Sequence, residues 1–205
     1  MPPMPKLTVG LTGGLASGKT TVVRMLRRRG FPVLEADDIS REIFRPGESA
    51  FRKVYARFGK DILNPAGEID RKKLGSIVFK NPRARRALER LTHPEILRRM
   101  RSWMRRSPGP ILFVSASLIY EASLEKTFDL VGVVYALKKQ CIERSLVRNH
   151  SSRGEILSCL KAQMPLELKI QRCDFTIDNT GKPKNLTRQL DALLKTLNLM
   201  VHSPQ

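Results

Sequence analysis

The sequence predicts an α/β fold: a five-stranded parallel sheet with flanking helices, a helical insertion and a helical lid. Three observations carry this. Short apolar runs at residues 6–11, 32–34, 111–115, 130–136 and 172–178 alternate with segments of helical periodicity, the pattern that builds a parallel sheet. The first run leads directly into Gly13-Gly14-Leu15-Ala16-Ser17-Gly18-Lys19-Thr20, which fits G-x-x-x-x-G-K-[ST] between a strand and a helix. Residues 46–109 hold only helical patterns, so they read as an insertion between strands.

The first strand, 6–11, and the helix at 21–29 frame a phosphate-binding loop, which makes the fold one of the phosphate-loop NTPase type. Glycines let the backbone wrap phosphate oxygens where a Cβ would clash or forbid the φ. The helix that follows points its free N–H groups and positive dipole end at the same anion. Lys19 adds a charge near the β- and γ-phosphates, and Thr20 places a hydroxyl to ligate Mg²⁺. A bound nucleoside triphosphate is therefore expected on Gly13 to Thr21.

Gly30 ends the first helix, and Pro32-Val33-Leu34 opens the second strand. That strand delivers Glu35-Ala36-Asp37-Asp38 at the edge where open parallel sheets place ligands. Asp37 or Asp38 can cap the helix that begins at Ile39, but a cap needs only one carboxylate. The alternative is a carboxylate facing the γ-phosphate, able to take the proton of an acceptor hydroxyl and help hold Mg²⁺. Helical patterns follow at 49–58, 70–79, 83–91 and 94–106, broken at Gly59, Asn64-Pro65-Ala66-Gly67 and Asn81-Pro82. In the last, Ile96, Leu97, Met100, Trp103 and Met104 form the apolar stripe, and Arg98, Arg99, Arg101, Arg105 and Arg106 a basic face.

The strand at 111–115 ends in Ser115-Ala116-Ser117, not in the Asp many phosphate-loop ATPases carry there, which shifts weight onto Asp37. Leu130 to Ala136 is apolar on both faces, as a central strand should be. Beyond it, Gln140, Arg144 and Arg148 stand at i, i+4 and i+8 on one helix face, where arginines can clamp phosphates or simply face solvent. The segment to residue 170 reads as a lid, residues 172–178 as the fifth strand, and 184–197 as an amphipathic closing helix.

Composition limits the class. At 205 residues and 41% hydrophobic, the chain is one domain with an insertion. No run reaches the length of a membrane helix and the first residues lack a secretory layout, so a cytoplasmic protein is expected. Cys141, Cys159 and Cys173 have no metal or disulfide spacing and read as free thiols. A net charge of +19 predicts attraction to polyanions, including non-specific binding of nucleic acid.

Several stretches together resemble the dephospho-coenzyme A kinase family. They are Gly10 to Thr20; Glu35-Ala36-Asp37 with Ile39 and Arg41; Pro46-Gly47; Leu91-Thr92-His93-Pro94; Leu118 to Glu121; Gln140, Arg144 and Arg148; Gln163-Met164-Pro165 with Lys169; and Asp178-Asn179-Thr180-Gly181. They run in the family's order over roughly residues 7–197. The resemblance implies transfer of the ATP γ-phosphoryl group to the ribose 3′-hydroxyl of dephospho-coenzyme A, the last step of coenzyme A synthesis, with Mg²⁺. It implies a core at 1–45, 110–140 and 171–205, an acceptor domain at 46–109 and a lid at 141–170. Asp37 and Lys19 would be catalytic, Arg41 and His93 would lie on the acceptor side, and Arg144, Arg148 and Asn179 would contact ATP. Glu35, Ser115, Ser117 and Cys159 depart from the family's usual residues. Three other readings compete. A regulatory GTPase wants an N-K-x-D motif, and none occurs. A basic nucleic-acid-binding protein wants basic and aromatic residues interleaved, but aromatics are 6%. A kinase for another hydroxyl acceptor, such as a nucleoside or nucleotide, is the nearest alternative.

Overall fold

The computed structural model describes residues 6–149 and 152–202. They divide into two compact units: Glu35–Arg106, and the described residues on either side of it.

The flanking unit is built on a five-stranded parallel sheet. Its strands are β1 (Leu7–Gly13), β2 (Val33–Glu35), β3 (Ile111–Ser115), β4 (Leu130–Tyr135) and β5 (Phe175–Asp178), in the order β2-β3-β1-β4-β5. β1 sits in the centre, pairing Leu7 with Ile111 on one side and Gly13 with Val134 on the other. The chain lays strands to one side of β1 and then to the other. The turn after β1 therefore opens at the switch point of the sheet, where α/β folds bind ligands. Helix α1 (Lys19–Arg28) packs Val22, Val23 and Leu26 against Val9, Leu11 and Phe113. The last helix of the chain (Pro183–His202) adds Leu186, Leu190, Leu194 and Leu197 to the same core. All three cysteines are free thiols, and among the described residues no helix is long and apolar enough to cross a membrane.

The Glu35–Arg106 unit is helical: α2 (Ala36–Glu42), α3 (Ser49–Phe58), α4 (Arg71–Lys80) and α5 (Pro82–Arg106). Val54, Ile62, Ile69 and Leu74 form its core. Asp70 caps α4, accepting from the amides of Lys72 and Lys73 at 2.8 and 3.2 Å. Two helices are expected at 83–91 and 94–106; one is found, with Pro94 inside it. Proline removes a single hydrogen bond. Ala84 and Ala87 before it and Met100 after it are buried, so packing holds both halves in one helix.

Arg99 also leaves its expected basic face. Its guanidinium meets Glu95 at 2.7 Å, Glu42 at 3.5 Å and Glu48, three carboxylates that make it a structural centre of this unit. Hydrogen bonds from Arg98 and then Arg99 hold the Glu95 carboxyl at about 2, against its ordinary 4.5. Such a group stabilises the fold fully above pH 4.5, and the contribution is lost as pH falls toward 2. Thermal melts between pH 5 and 2 should show the wild type losing more stability than Glu95→Gln, with the two curves converging at the acid end.

The remaining helices are α6 (Lys138–Asn149), α7 (Arg153–Ala162), α8 (Leu166–Arg172) and α9 (Pro183–His202). Helix α8 is not visible as a pattern in the sequence. It is seven residues long, and its buried position is filled by a lysine, Lys169.

Candidate active site

The phosphate loop runs from the end of β1 into α1. Two glycines are required by its geometry. A Cβ on Gly13 would collide with the Val134 carbonyl oxygen and lie 2.7 Å from Ser17 Oγ. Gly18 has φ +103°, and a Cβ there would collide with Asn179 Nδ2. Ala16, with φ 52°, holds the left-handed conformation without being glycine, a strain that binding loops store. Gly18 is the N-cap of α1 and offers no side chain to it, so no capping side chain competes with an anion for the amides at the start of the helix. Lys19 Nζ donates to the Gly13 carbonyl at 3.1 Å, which folds the ammonium back over the loop. Ser17 Oγ is buried and makes no hydrogen bond among the described residues. Thr20 and Thr21 are half-buried in the first turn of α1, and the Thr21 amide is bonded to Gly18 at 2.9 Å.

The turn after β5 braces this loop. Asn179 Nδ2 donates to the Ser17 carbonyl at 2.9 Å. Asp178 accepts from the Thr180 amide at 2.7 Å, and the hydrogen bonds from Thr180 lower its carboxyl from the ordinary value. From α6, Gln140 donates to the Thr180 carbonyl at 2.9 Å and Arg144 to the Asn179 carbonyl at 3.2 Å. The i, i+4 spacing thus brings Gln140 and Arg144 onto one turn. The second terminal nitrogen of Arg144 is buried and has no hydrogen bond among the described residues, a donor that could meet an anion. Burial pushes the Cys141 thiol up, against the opposing charges of Arg144 and Lys19. Arg148 stands on α6, but its side chain lies outside the described residues.

Beside the loop lies a cavity of about 640 Å³, lined by Gly14, Leu15 and Ser17 of the loop, by Leu157 and Leu160 of α7, and by Gln163, Met164 and Lys169. Gln163 Oε1 accepts from the Leu15 amide at 3.2 Å. Lys169 is 1% exposed and pairs with Glu121 at 2.8 Å. No chemical role for these three is readable from the sequence. What the sequence does show is their place in the family-like stretches Leu118 to Glu121 and Gln163-Met164-Pro165 with Lys169, and a lysine in an otherwise core-facing position of LELKIQR.

In the helical unit, α2 begins at Ala36 and not at Ile39, so Asp37 and Asp38 lie inside its first turn and neither serves as N-cap. Both carboxylates complement the helix dipole. Asp38 is paired with Arg41 at 3.1 Å. Asp37 is exposed, and among the described residues no hydrogen bond or ion pair engages it. Of the two acids, Asp38 is engaged by a neighbour in its own helix and Asp37 is not. His93 is half-buried in α5, just before Pro94.

A family model described as dephospho-CoA kinase matches residues 7–185. The chain belongs to the dephospho-CoA kinase family. A dephospho-CoA kinase of Geobacter sulfurreducens is 45% identical over 188 residues, covering 90% of this chain and 95% of that one. A crystal structure from Thermus thermophilus superposes with TM-score 0.82 at 31% identity, covering 94% of this chain and 98% of that one. Dephospho-CoA kinase from Campylobacter jejuni gives 0.67 at 27%, covering 93% and 96%. A dephospho-CoA kinase family member is an ATP-using kinase, which is what a braced phosphate loop with a cationic rim equips this chain to be.

Proposed function

We propose that the chain transfers the γ-phosphoryl group of ATP to the 3′-hydroxyl of the ribose of dephospho-CoA, giving CoA and ADP as the last step of CoA biosynthesis. The observation that carries this is the phosphate loop, tied to the turn at Asn179, in a chain matched to the family over residues 7–185. The loop residues from Gly13 to Thr21, with the Lys19 ammonium, hold the triphosphate. Arg144, Arg148 and Asn179 add contacts to ATP. The acceptor oxygen attacks the γ-phosphorus, the bond to the β–γ bridging oxygen breaks, and Asp37 accepts the hydroxyl proton. Arg41 and His93 serve the acceptor, and helices within residues 141–170 act as a lid that excludes water.

Mg²⁺ fits the donors present. Among the described residues no group of three or more His, Cys, Asp or Glu could hold a metal ion, so these residues form no protein cage for one. Mg²⁺ prefers one or two protein ligands with substrate phosphates and water. The Thr20 hydroxyl would hold it, with Asp37 as a carboxylate ligand, and when bound it neutralises charge on the phosphates. The cytoplasm is the compartment that supplies both substrates, and the +19 charge gives weak, salt-sensitive binding to nucleic acid with no role in transfer.

The reading is tested by ADP release with dephospho-CoA, nucleosides and nucleoside monophosphates as acceptors. Turnover is expected with dephospho-CoA alone, matched by CoA formed. Equal turnover without acceptor, or a preference for a nucleoside, would sink it.

A further inference from the structure

We propose that Gln163 is a γ-phosphate-binding residue, aimed at the phosphate loop by a buried Glu121–Lys169 clamp. The inference rests on the loop's binding ATP and adds a residue outside it.

Gln163 stands just after α7, and its carboxamide oxygen accepts from the Leu15 amide at 3.2 Å. A backbone N–H can only donate, so this contact fixes which end of the carboxamide faces the loop. The NH₂ end is turned away from Leu15 and makes no hydrogen bond among the described residues. It belongs to a side chain that lines the cavity with Gly14, Leu15 and Ser17. Lys19 marks which phosphate that end meets. The lysine of such loops reaches the β- and γ-phosphates. Here its ammonium lies on the carbonyl of Gly13, so Gly13 to Leu15 form the γ end of the loop. Gln163 therefore offers two N–H donors where the transferred group carries most of its charge.

The backbone beneath Gln163 is fixed by charge. The next residue, Met164, donates its amide to Glu121 Oε1 at 2.8 Å. The same oxygen pairs with Lys169 at 2.8 Å. Lys169 Nζ also donates to the Ser117 carbonyl at 3.2 Å, and that carbonyl accepts from Thr12 Oγ1, in the strand that enters the loop. One buried ammonium thus ties α8, the end of β3 and the end of β1 around Gln163. A lysine at 1% exposure is rarely kept for packing, because an apolar residue fills such a place more cheaply. Glu121 and Lys169 are positioning residues on this account.

The test compares ATP and ADP, which differ by the γ-phosphate alone. Affinities of the full chain for each, with Mg²⁺, are measured by calorimetry for the wild type, Gln163→Glu, Gln163→Ala and Lys169→Met. Gln163→Glu keeps the acceptor for Leu15 and replaces the donors with a negative charge. It should lose about tenfold or more in ATP affinity and less than about threefold for ADP, the size of one charge-assisted hydrogen bond. Its kcat should fall while KM for dephospho-CoA stays. Gln163→Ala should show the same selectivity in milder form, and Lys169→Met should reproduce it by releasing the segment. If Lys169→Met does not fold, the two Gln163 variants decide. Equal losses for ATP and ADP, or no loss, would overturn the proposal. Failure of the wild type to bind either nucleotide would instead overturn the kinase reading.

Discussion

Asp37→Asn should lower kcat for phosphoryl transfer by about 10³-fold and leave ATP affinity within about twofold, inside the range that general bases contribute. The amide keeps size and polarity but cannot take a proton at neutral pH. The structure makes this substitution a clean probe. Asp37 is exposed, bonds to none of the described residues and is not the cap of α2, so the variant should melt with the wild type. Asp38→Asn is the control. It breaks the pair with Arg41 at 3.1 Å, an exposed contact worth well under 1 kcal/mol, and should leave kcat within a few-fold. Steady-state kinetics of both variants, with calorimetric ATP titrations, decide the matter. A fully active Asp37→Asn would remove the residue from the chemistry.

Gly13→Ala and Gly18→Ala should separate folding from binding. At Gly13 the new methyl meets a backbone carbonyl, that of Val134 in the neighbouring strand, which cannot swing away. The central pair of strands must shift, at a cost of about 3 kcal/mol. For a chain of this size that lowers Tm by roughly 6–12 °C. At Gly18 the collision is with a side-chain amide, which can rotate out. The cost there is the strained φ and the lost Asn179 to Ser17 bond, about 1–3 kcal/mol, so Tm should fall less. Nucleotide affinity should nonetheless fall about tenfold or more, since the loop loses its brace. Thermal melts and nucleotide titrations of both variants test the contrast; a smaller drop in Tm for Gly13→Ala than for Gly18→Ala would contradict it.

The loop, the carboxylate and the alternation of strands and helices were legible because each is local. A phosphate site needs glycines and a lysine at fixed spacing, and a buried strand needs an unbroken apolar run. Asp37 stood out by following the second strand. What stayed hidden depends on contacts distant in sequence. Arg99 looked like one more arginine on a basic face, since two of the three acids that hold it, Glu42 and Glu48, are about fifty residues away and only Glu95 is near in sequence. Pro94 read as a break because one residue's chemistry is visible while the packing that overrides it is not. Gln163 and Lys169 stood in a stretch that resembles the family, but no role could be read for them, because their partners lie at Leu15, Ser117 and Glu121.

By itself the sequence determined the fold class, the phosphate loop and, through ordered motifs, the kinase family. Motifs for binding charge are short because the backbone and one or two side chains supply the field. Only the tertiary structure decided which polar groups are spent on the fold and which remain for a ligand. Asp38 is used by Arg41, and the Gln140 amide by the Thr180 carbonyl. Asp37 and one nitrogen of Arg144 are not so used among the described residues. Pairing is a property of distance in space, and a chain reveals its distances only once it has folded.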